Sequence, residues 1–247
     1  VVPTKQGDVY VLNRETGEPI FPITEKSAPQ GTVALDNASP TQPISALTFR
    51  PPTMTEKDMW GATPLDQMMC RIQFKSLRYE GQYTPPSEQG TLVYPGNFGV
   101  FNWGSVAVDP KRQVMFGMPL YLAFTQRLVK KDGSDMGPAN QGEQGLNSND
   151  GAPYAVDMKP LLSPLGVPCQ QPPWGYVAGV DLKTGETVYK HKNGTVRDLT
   201  PLPLPIKMGV PGIGGPVITE GGLVFMAAAV DNYLRAYDLS TGEELWR

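Results

Sequence analysis

Apolar and polar residues alternate with a period of two along much of this chain, the pattern of strands that turn one face inward. In Val9-Tyr10-Val11-Leu12-Asn13, Val9, Val11 and Asn13 point one way and Tyr10 and Leu12 the other. Arg14-Glu15-Thr16-Gly17 then turns the chain, with Gly17 free to take positive φ. The unit returns at 179–189 and at 236–246. Each copy reads apolar strand, Asn or Asp (Asn13, Asp181, Asp238), a Thr-Gly turn, then a second strand that closes on an aromatic. This predicts a β-hairpin whose amide or acidic side chain caps the turn backbone, with the closing aromatic packed between neighbouring sheets.

The rest of the pattern fills in around these hairpins. Residues 1–21 form the first one. Residues 22–55 dissolve into Pro, Ser, Thr and Gln and predict an extended excursion. Thr55 with Asp58 fits a capping box, and Pro64, Leu65, Met68 and Met69 give a brief helical period. Residues 99–109 predict a strand containing Asn102 and Trp103, 110–113 a turn, and 114–118 the return strand. Residues 130–151 are polar and Gly-rich and predict a long loop. Five prolines between 160 and 173 mark an irregular crossing, and 201–205 suggests a polyproline-like stretch. From 214 to 247 the chain reads as four short antiparallel strands, one propeller-blade length.

Composition agrees with many short strands and turns. Of 247 residues, 27 are Gly and 26 Pro, and only 18% are charged, which disfavours a helical bundle. A net charge of −3 leaves no electrostatic footprint for nucleic acid. No apolar run reaches the ~18 residues of a membrane span. Cys70 and Cys169 lie far apart and form no local metal or redox motif. They form either a disulfide or two buried thiols. The single histidine, His191, reads as a solvent-facing strand residue. The chain starts and stops inside a repeat, so the expectation is a single partial domain, 1–247, with blade repeats near 1–21, 174–191 and 214–247. A second polypeptide or an N-terminal fragment would then cover its open sheet faces and edges.

No Ser-His-Asp set, phosphate loop or zinc spacing is present. Chemistry must come from isolated polar residues at strand ends. Lys5 precedes an apolar strand, Asn102-Trp103 is a polar–aromatic pair in an apolar context, and Asp231 sits between Ala227-Ala228-Ala229-Val230 and Tyr233-Leu234. On the residues alone these read as a solvated lysine, a packed tryptophan beside a capped amide, and a turn aspartate. Arg71, Lys75 and Arg78 read as a solvated basic face.

Long strings nevertheless resemble one family. They include Pro3-Thr4-Lys5, Asp58-Met59-Trp60-Gly61-Ala62-Thr63, Tyr83-Thr84-Pro85-Pro86-Ser87-Glu88-Gln89-Gly90, Leu162-Ser163-Pro164-Leu165-Gly166-Val167-Pro168-Cys169 and Asp231-Asn232-Tyr233-Leu234-Arg235. All are similar to the membrane-bound quinoprotein dehydrogenases of the glucose/quinate/shikimate family, over essentially the whole chain. The resemblance implies an all-β, eight-bladed β-propeller holding pyrroloquinoline quinone (PQQ) on its axis, with this chain supplying roughly the later half. It also implies a bound Ca²⁺ or Mg²⁺, most of whose ligands lie outside this chain. The catalytic aspartate base is expected upstream of Val1. The catalytic domain is expected in the periplasm, belonging to a protein anchored in the inner membrane and passing electrons to ubiquinone.

Matched residue by residue, Lys5 is the lysine set against the quinone's reactive oxygens, where a fixed ammonium stabilises developing negative charge. Asn102-Trp103 matches a cofactor-contacting pair, and Asp231 an aspartate near the cofactor that orients Lys5 or a cofactor group. Asn102 stands where the glucose enzymes carry an acidic residue, and Met118 where they carry an asparagine. These departures point to a cyclic polyol acid, quinate or shikimate, as substrate. The alternatives are an aldose dehydrogenase giving gluconolactone and, in another class, a non-catalytic propeller scaffold.

Overall fold

A computed structural model describes residues 1–34, 36–131, 144–199 and 205–247. The chain is built almost wholly of short strands. The three repeated turns form as the sequence predicts. Asn13 Oδ1 accepts the amides of Glu15 (2.8 Å) and Thr16 (3.3 Å). Asp181 Oδ1 accepts that of Lys183 (2.7 Å), and Asp238 Oδ1 those of Ser240 (2.8 Å) and Thr241 (2.9 Å). In each turn the glycine amide closes back on the capping residue's carbonyl at 2.8 Å, and Gly17, Gly185 and Gly242 take φ of 77°, 79° and 71°. A side chain there would be strained, so Gly is required.

The central sheet runs Glu186–Lys192, Tyr176–Asp181, Val114–Gly117, Val106–Asp109, all antiparallel. Its period-2 alternation feeds two cores. Met115, Ala178 and Val180 face one way, onto Val9, Val11, Leu47 and Phe49 of the N-terminal hairpin region. Phe116, Val177 and Tyr189 face the other way, onto Val224, Met226 and Tyr237 of the last sheet. That last sheet is the predicted four-strand unit: Val217–Ile218, Leu223–Met226, Arg235–Asp238, Glu244–Trp246. Three stacked sheets with alternate residues meeting alternate neighbours is blade-on-blade propeller packing. Tyr189 fills the space between two sheets as expected, while Trp246 is exposed.

Three regions differ from the sequence pattern. Within 22–55 the strands Ile23–Ser27 and Thr41–Ser45 pair antiparallel. Side chains of Ile23–Ser27 are exposed throughout, so no apolar alternation announced the strand. A second four-stranded sheet pairs Thr91–Val93, which precedes the central sheet's strands, with Phe124–Lys130, Tyr154–Pro160 and Gly145–Asn147, which lie between Gly117 and Tyr176. Phe124–Lys130 and Tyr154–Pro160 flank the predicted loop, and Gly145–Asn147 is a strand inside it, because it pairs with Tyr154–Pro160. Residues 132–143 of that loop lie outside the described residues, as do 201–204 of the polyproline-like stretch. The helix α1, Pro64–Ser76, is longer than the brief period suggested.

Helix α1 starts on Thr63, whose hydroxyl accepts the Asp66 amide at 3.2 Å, with Pro64 in the first turn. Thr55 and Asp58 form the predicted capping box of a short 3₁₀ turn, Glu56–Asp58. Arg71 and Lys75 both pair with Glu56, at 2.7 and 2.9 Å, on the solvent side. Cys70 is bonded to Cys169, which ties the buried side of the helix to the loop ahead of Trp174. His191 lies exposed on its strand, stacked on Tyr189 with ring centroids 5.6 Å apart.

Candidate functional site

Lys5 sits in the turn between Val2–Pro3 and Val9–Tyr10. The turn is held by the Thr4 amide on Asp8 O (2.9 Å) and the Gly7 amide on Thr4 O (3.1 Å). Gln82 Nε2 clamps it from outside, donating to Gln6 O at 2.7 Å. The segment 96–102 runs alongside. Val100 donates its amide to Lys5 O (2.8 Å), and Lys5 Nζ donates to Asn97 O (2.6 Å). Asn97 is itself fixed: its Oδ1 accepts from Gln126 Nε2 at 2.6 Å. Lys5 thus stands as an exposed cation on a braced turn.

Val100 and Phe101 anchor the same segment in the core, and the chain then surfaces at Asn102 and Trp103. These two do not lie in a strand, as the apolar run predicted. They form a turn ahead of Val106–Asp109, closed by Ser105 N on Asn102 O (2.8 Å), with Ser105 at φ 58°. Asn102 Oδ1 accepts the Trp103 amide at 2.9 Å. Asn102 Nδ2 is buried and has no hydrogen-bond partner among the described residues, while the indole of the next residue, Trp103, stands 77% exposed. An unmatched buried amide donor costs about 1–3 kcal/mol, which an acceptor on a ligand would recover.

The strip continues. A Cβ on Gly104 would fall 2.5 Å from Gly214 C, and one on Gly215 2.6 Å from Gly104 O, so Gly104 and Gly215 let these backbones touch. Ile213 N then bonds Ala228 O at 3.2 Å, three residues before Asp231. Asp231 lies on the same strip, but its carboxylate turns inward. Oδ1 accepts from Arg235 Nη1 (3.0 Å), Oδ2 accepts from Arg235 Nη2, and Oδ2 also accepts the Thr195 amide (3.0 Å). Both Asp231 and Arg235 are buried. Burial pushes the Asp231 carboxyl up, but the hydrogen bonds from Arg235 and Thr195 outweigh it and hold it below the ordinary carboxylate value.

The structure therefore brings Lys5, Asn102 and Trp103 together along one segment and places Asp231 in an ion pair further along. Asn97, Gln126 and Arg235 were not singled out from the sequence, because their roles depend on contacts 29 to 92 residues apart or on burial. Met118 is buried, its sulfur accepting from Asn193 Nδ2 at 3.2 Å against Gly212, in the core between two blades. Among the described residues no group of three or more His, Cys, Asp or Glu could hold a metal ion, and no helix is long and apolar enough to cross a membrane.

Residues 1–247 match the family model described as PQQ: glucose/ethanol/alcohol dehydrogenase, β-propeller domain. The chain belongs to this family. It is 49% identical to the quinoprotein glucose dehydrogenase of Gluconobacter oxydans, over 99% of this chain and 33% of that protein. Quinoprotein glucose dehydrogenase A of Acinetobacter calcoaceticus is 50% identical, over 99% of this chain and 32% of that protein. The quinate/shikimate dehydrogenase (quinone) of Acinetobacter baylyi is 40% identical, over 100% of this chain and 32% of that protein. This chain thus spans about a third of the length of these relatives.

Proposed function

We propose that the complete protein is a PQQ-dependent dehydrogenase that oxidises a hydroxyl of a cyclic polyhydroxy substrate, and that this chain carries one wall of the cofactor site. The observation that carries the reading is the buried amide of Asn102, unpaired among the described residues, on the segment that braces the Lys5 turn and next in the chain to the exposed indole of Trp103. Lone donors, a flat apolar ring and an ammonium suit a planar, anionic aromatic group. PQQ, when bound, supplies the two-electron acceptor for turning an alcohol into a carbonyl. The protein's part is to hold and polarise. Lys5 offers a fixed positive charge to oxygens that gain negative charge, Asn102 Nδ2 donates a hydrogen bond, and Trp103 excludes water with its ring. Asp231 acts at one remove, fixing Arg235 and the Thr195 backbone at the inner edge of the last blade.

The catalytic aspartate and the Ca²⁺ or Mg²⁺ site belong to the rest of the propeller, with ubiquinone as electron acceptor. The Cys70–Cys169 disulfide supports an oxidising, periplasmic compartment.

For the substrate, an aldose such as glucose, oxidised at C1, is the first reading. The glucose dehydrogenases are 47–50% identical to this chain and the quinate enzymes 40–42%. The burial of Met118 also removes one of the two departures that pointed elsewhere. The second reading, quinate or shikimate, rests on Asn102, a neutral side chain at the site surface. The test is to load the full-length protein with PQQ and Ca²⁺ and follow dye reduction with glucose, quinate and shikimate in parallel. Activity on glucose alone supports the first reading, activity on the cyclic acids alone the second, and activity on none overturns both.

A further inference from the structure

The central sheet carries a second polar feature at the same end as the Asn102–Trp103 turn. Its register aligns Val106, Gly117, Ala178 and Lys190 across the four strands. Three strand spacings put Lys190 about 14 Å from Val106, too far for one small molecule to span both places. Here a cleft of about 220 Å³ opens between the loop at 170–173 and the outer strand. That is below the roughly 300–1,000 Å³ of drug-sized sites, so it suits a small ligand.

The cleft has one cation with no carboxylate partner among the described residues. Lys190 is exposed as a residue, yet its ammonium folds back over two rings, 4.5 Å from the centroid of Tyr121 and 4.4 Å from that of Tyr176. It donates to Tyr121 Oη at 2.8 Å, and that hydroxyl donates onward to Phe49 O at 2.8 Å, which fixes the phenol. No carboxylate comes within ion-pair distance of Lys190 among the described residues. The other charges on the walls are spent. Arg50 pairs with Asp8 and bonds Tyr83 Oη, and Asp58 takes the Thr55 amide, the Thr55 hydroxyl and Gln171 Nε2. Covering by the rings lowers the Lys190 pKa, the direction expected of a cation lacking a counter-ion. An ammonium with N–H groups to spare beside tyrosine faces and the flank of Pro173 asks for an anion with a flat carbon skeleton.

We propose that this cleft binds a small organic carboxylate, its carboxylate on Lys190 Nζ and its skeleton against Tyr121, Tyr176 and Pro173. The test uses the full-length protein and benzoate as probe, followed by ligand-observed NMR, with benzyl alcohol and inorganic phosphate in parallel. Benzoate is expected to bind at least about tenfold more tightly than either comparison, and Lys190→Met to weaken it about tenfold. Equal binding of benzyl alcohol removes the charge from the argument, and equal binding of phosphate removes the walls. Either result overturns the proposal, as does a Lys190→Met protein that folds and binds benzoate unchanged. Should that variant not fold, wild-type protein is acylated with an amine reagent and mapped by peptide mass. Benzoate is expected to protect Lys190 and leave Lys183 and Lys192 unprotected, and absence of selective protection overturns the assignment.

Discussion

Gly99 lies so close to Lys5 that a Cβ at position 99 would fall 2.6 Å from the Lys5 Cα. Gly99 also takes φ 71°, a conformation that L side chains rarely adopt. Backbone contact and positive φ at one residue mean that the site lysine is set by a glycine 94 positions later in the chain. Gly99→Ala must therefore move the Lys5 turn or the segment 97–102. The expected outcome is a loss of about tenfold or more in kcat of the PQQ-loaded full-length protein, with a stability cost of about 1–3 kcal/mol. Dye-linked kinetics and a denaturant titration check the two parts separately.

Asn102→Leu separates ligand binding from folding. The substitution removes the unpaired Nδ2, a gain, and the Oδ1 contact with the Trp103 amide, a loss. The two nearly cancel, so apoprotein stability is expected to change by no more than about 1 kcal/mol. PQQ affinity is expected to fall about tenfold. Titration of PQQ into the apoprotein, beside its thermal midpoint, measures both. An unchanged affinity would show that this amide does not meet the cofactor.

Asp231→Asn leaves Arg235 buried without its counter-charge. Glu244 is 3.7 Å from Arg235 Nε and compensates in part. A destabilisation of about 3–5 kcal/mol is expected, and the paired replacement Asp231→Leu with Arg235→Met is expected to cost less than the single change. The pH dependence follows from the depressed carboxyl of Asp231. Its contribution is complete above the unfolded-chain value of about 3.9 and is lost as pH falls through the lower folded value. Wild-type thermal midpoints should drop below about pH 4 more steeply than those of Asp231→Asn.

Cys70 and Cys169 close a loop of 99 residues, from helix α1 to the loop ahead of Trp174. Chain-entropy reasoning gives about 4–5 kcal/mol for such a loop, and measured values for removed disulfides run about 2–5 kcal/mol. Cys70→Ala with Cys169→Ala should lower stability within that range, read by urea unfolding with and without reductant. Both positions are fully buried, so the paired thiols or alanines remain in the core.

Much of the fold was legible because its signals are local. The Asn13, Asp181 and Asp238 turns need only a short polar side chain and a glycine a few residues on. The last sheet was readable for the same reason. The strand Ile23–Ser27 was not, because all five of its side chains face solvent and it is defined by its partner Thr41–Ser45. In the second four-stranded sheet the pairing of Phe124–Lys130, Tyr154–Pro160 and Gly145–Asn147 carries no signal along the chain, because these strands border or interrupt a polar, Gly-rich stretch. Val100 and Phe101 before them and Val106 after them predict a strand through Asn102 and Trp103, but the turn at Ser105 separates the two apolar runs.

By itself the sequence determined the repeat, the capped turns and, through long strings of residues, the kinship with quinoprotein dehydrogenases. Those depend on residue type and near neighbours. Only the tertiary structure decided that Lys5 is braced by Asn97, that Asp231 is spent on Arg235, and that Lys190 faces a cleft with no carboxylate within ion-pair distance of it among the described residues. Each of these depends on which side chains burial brings within about 3 Å, and hydrogen bonding and charge pairing at that range carry no signature along the chain.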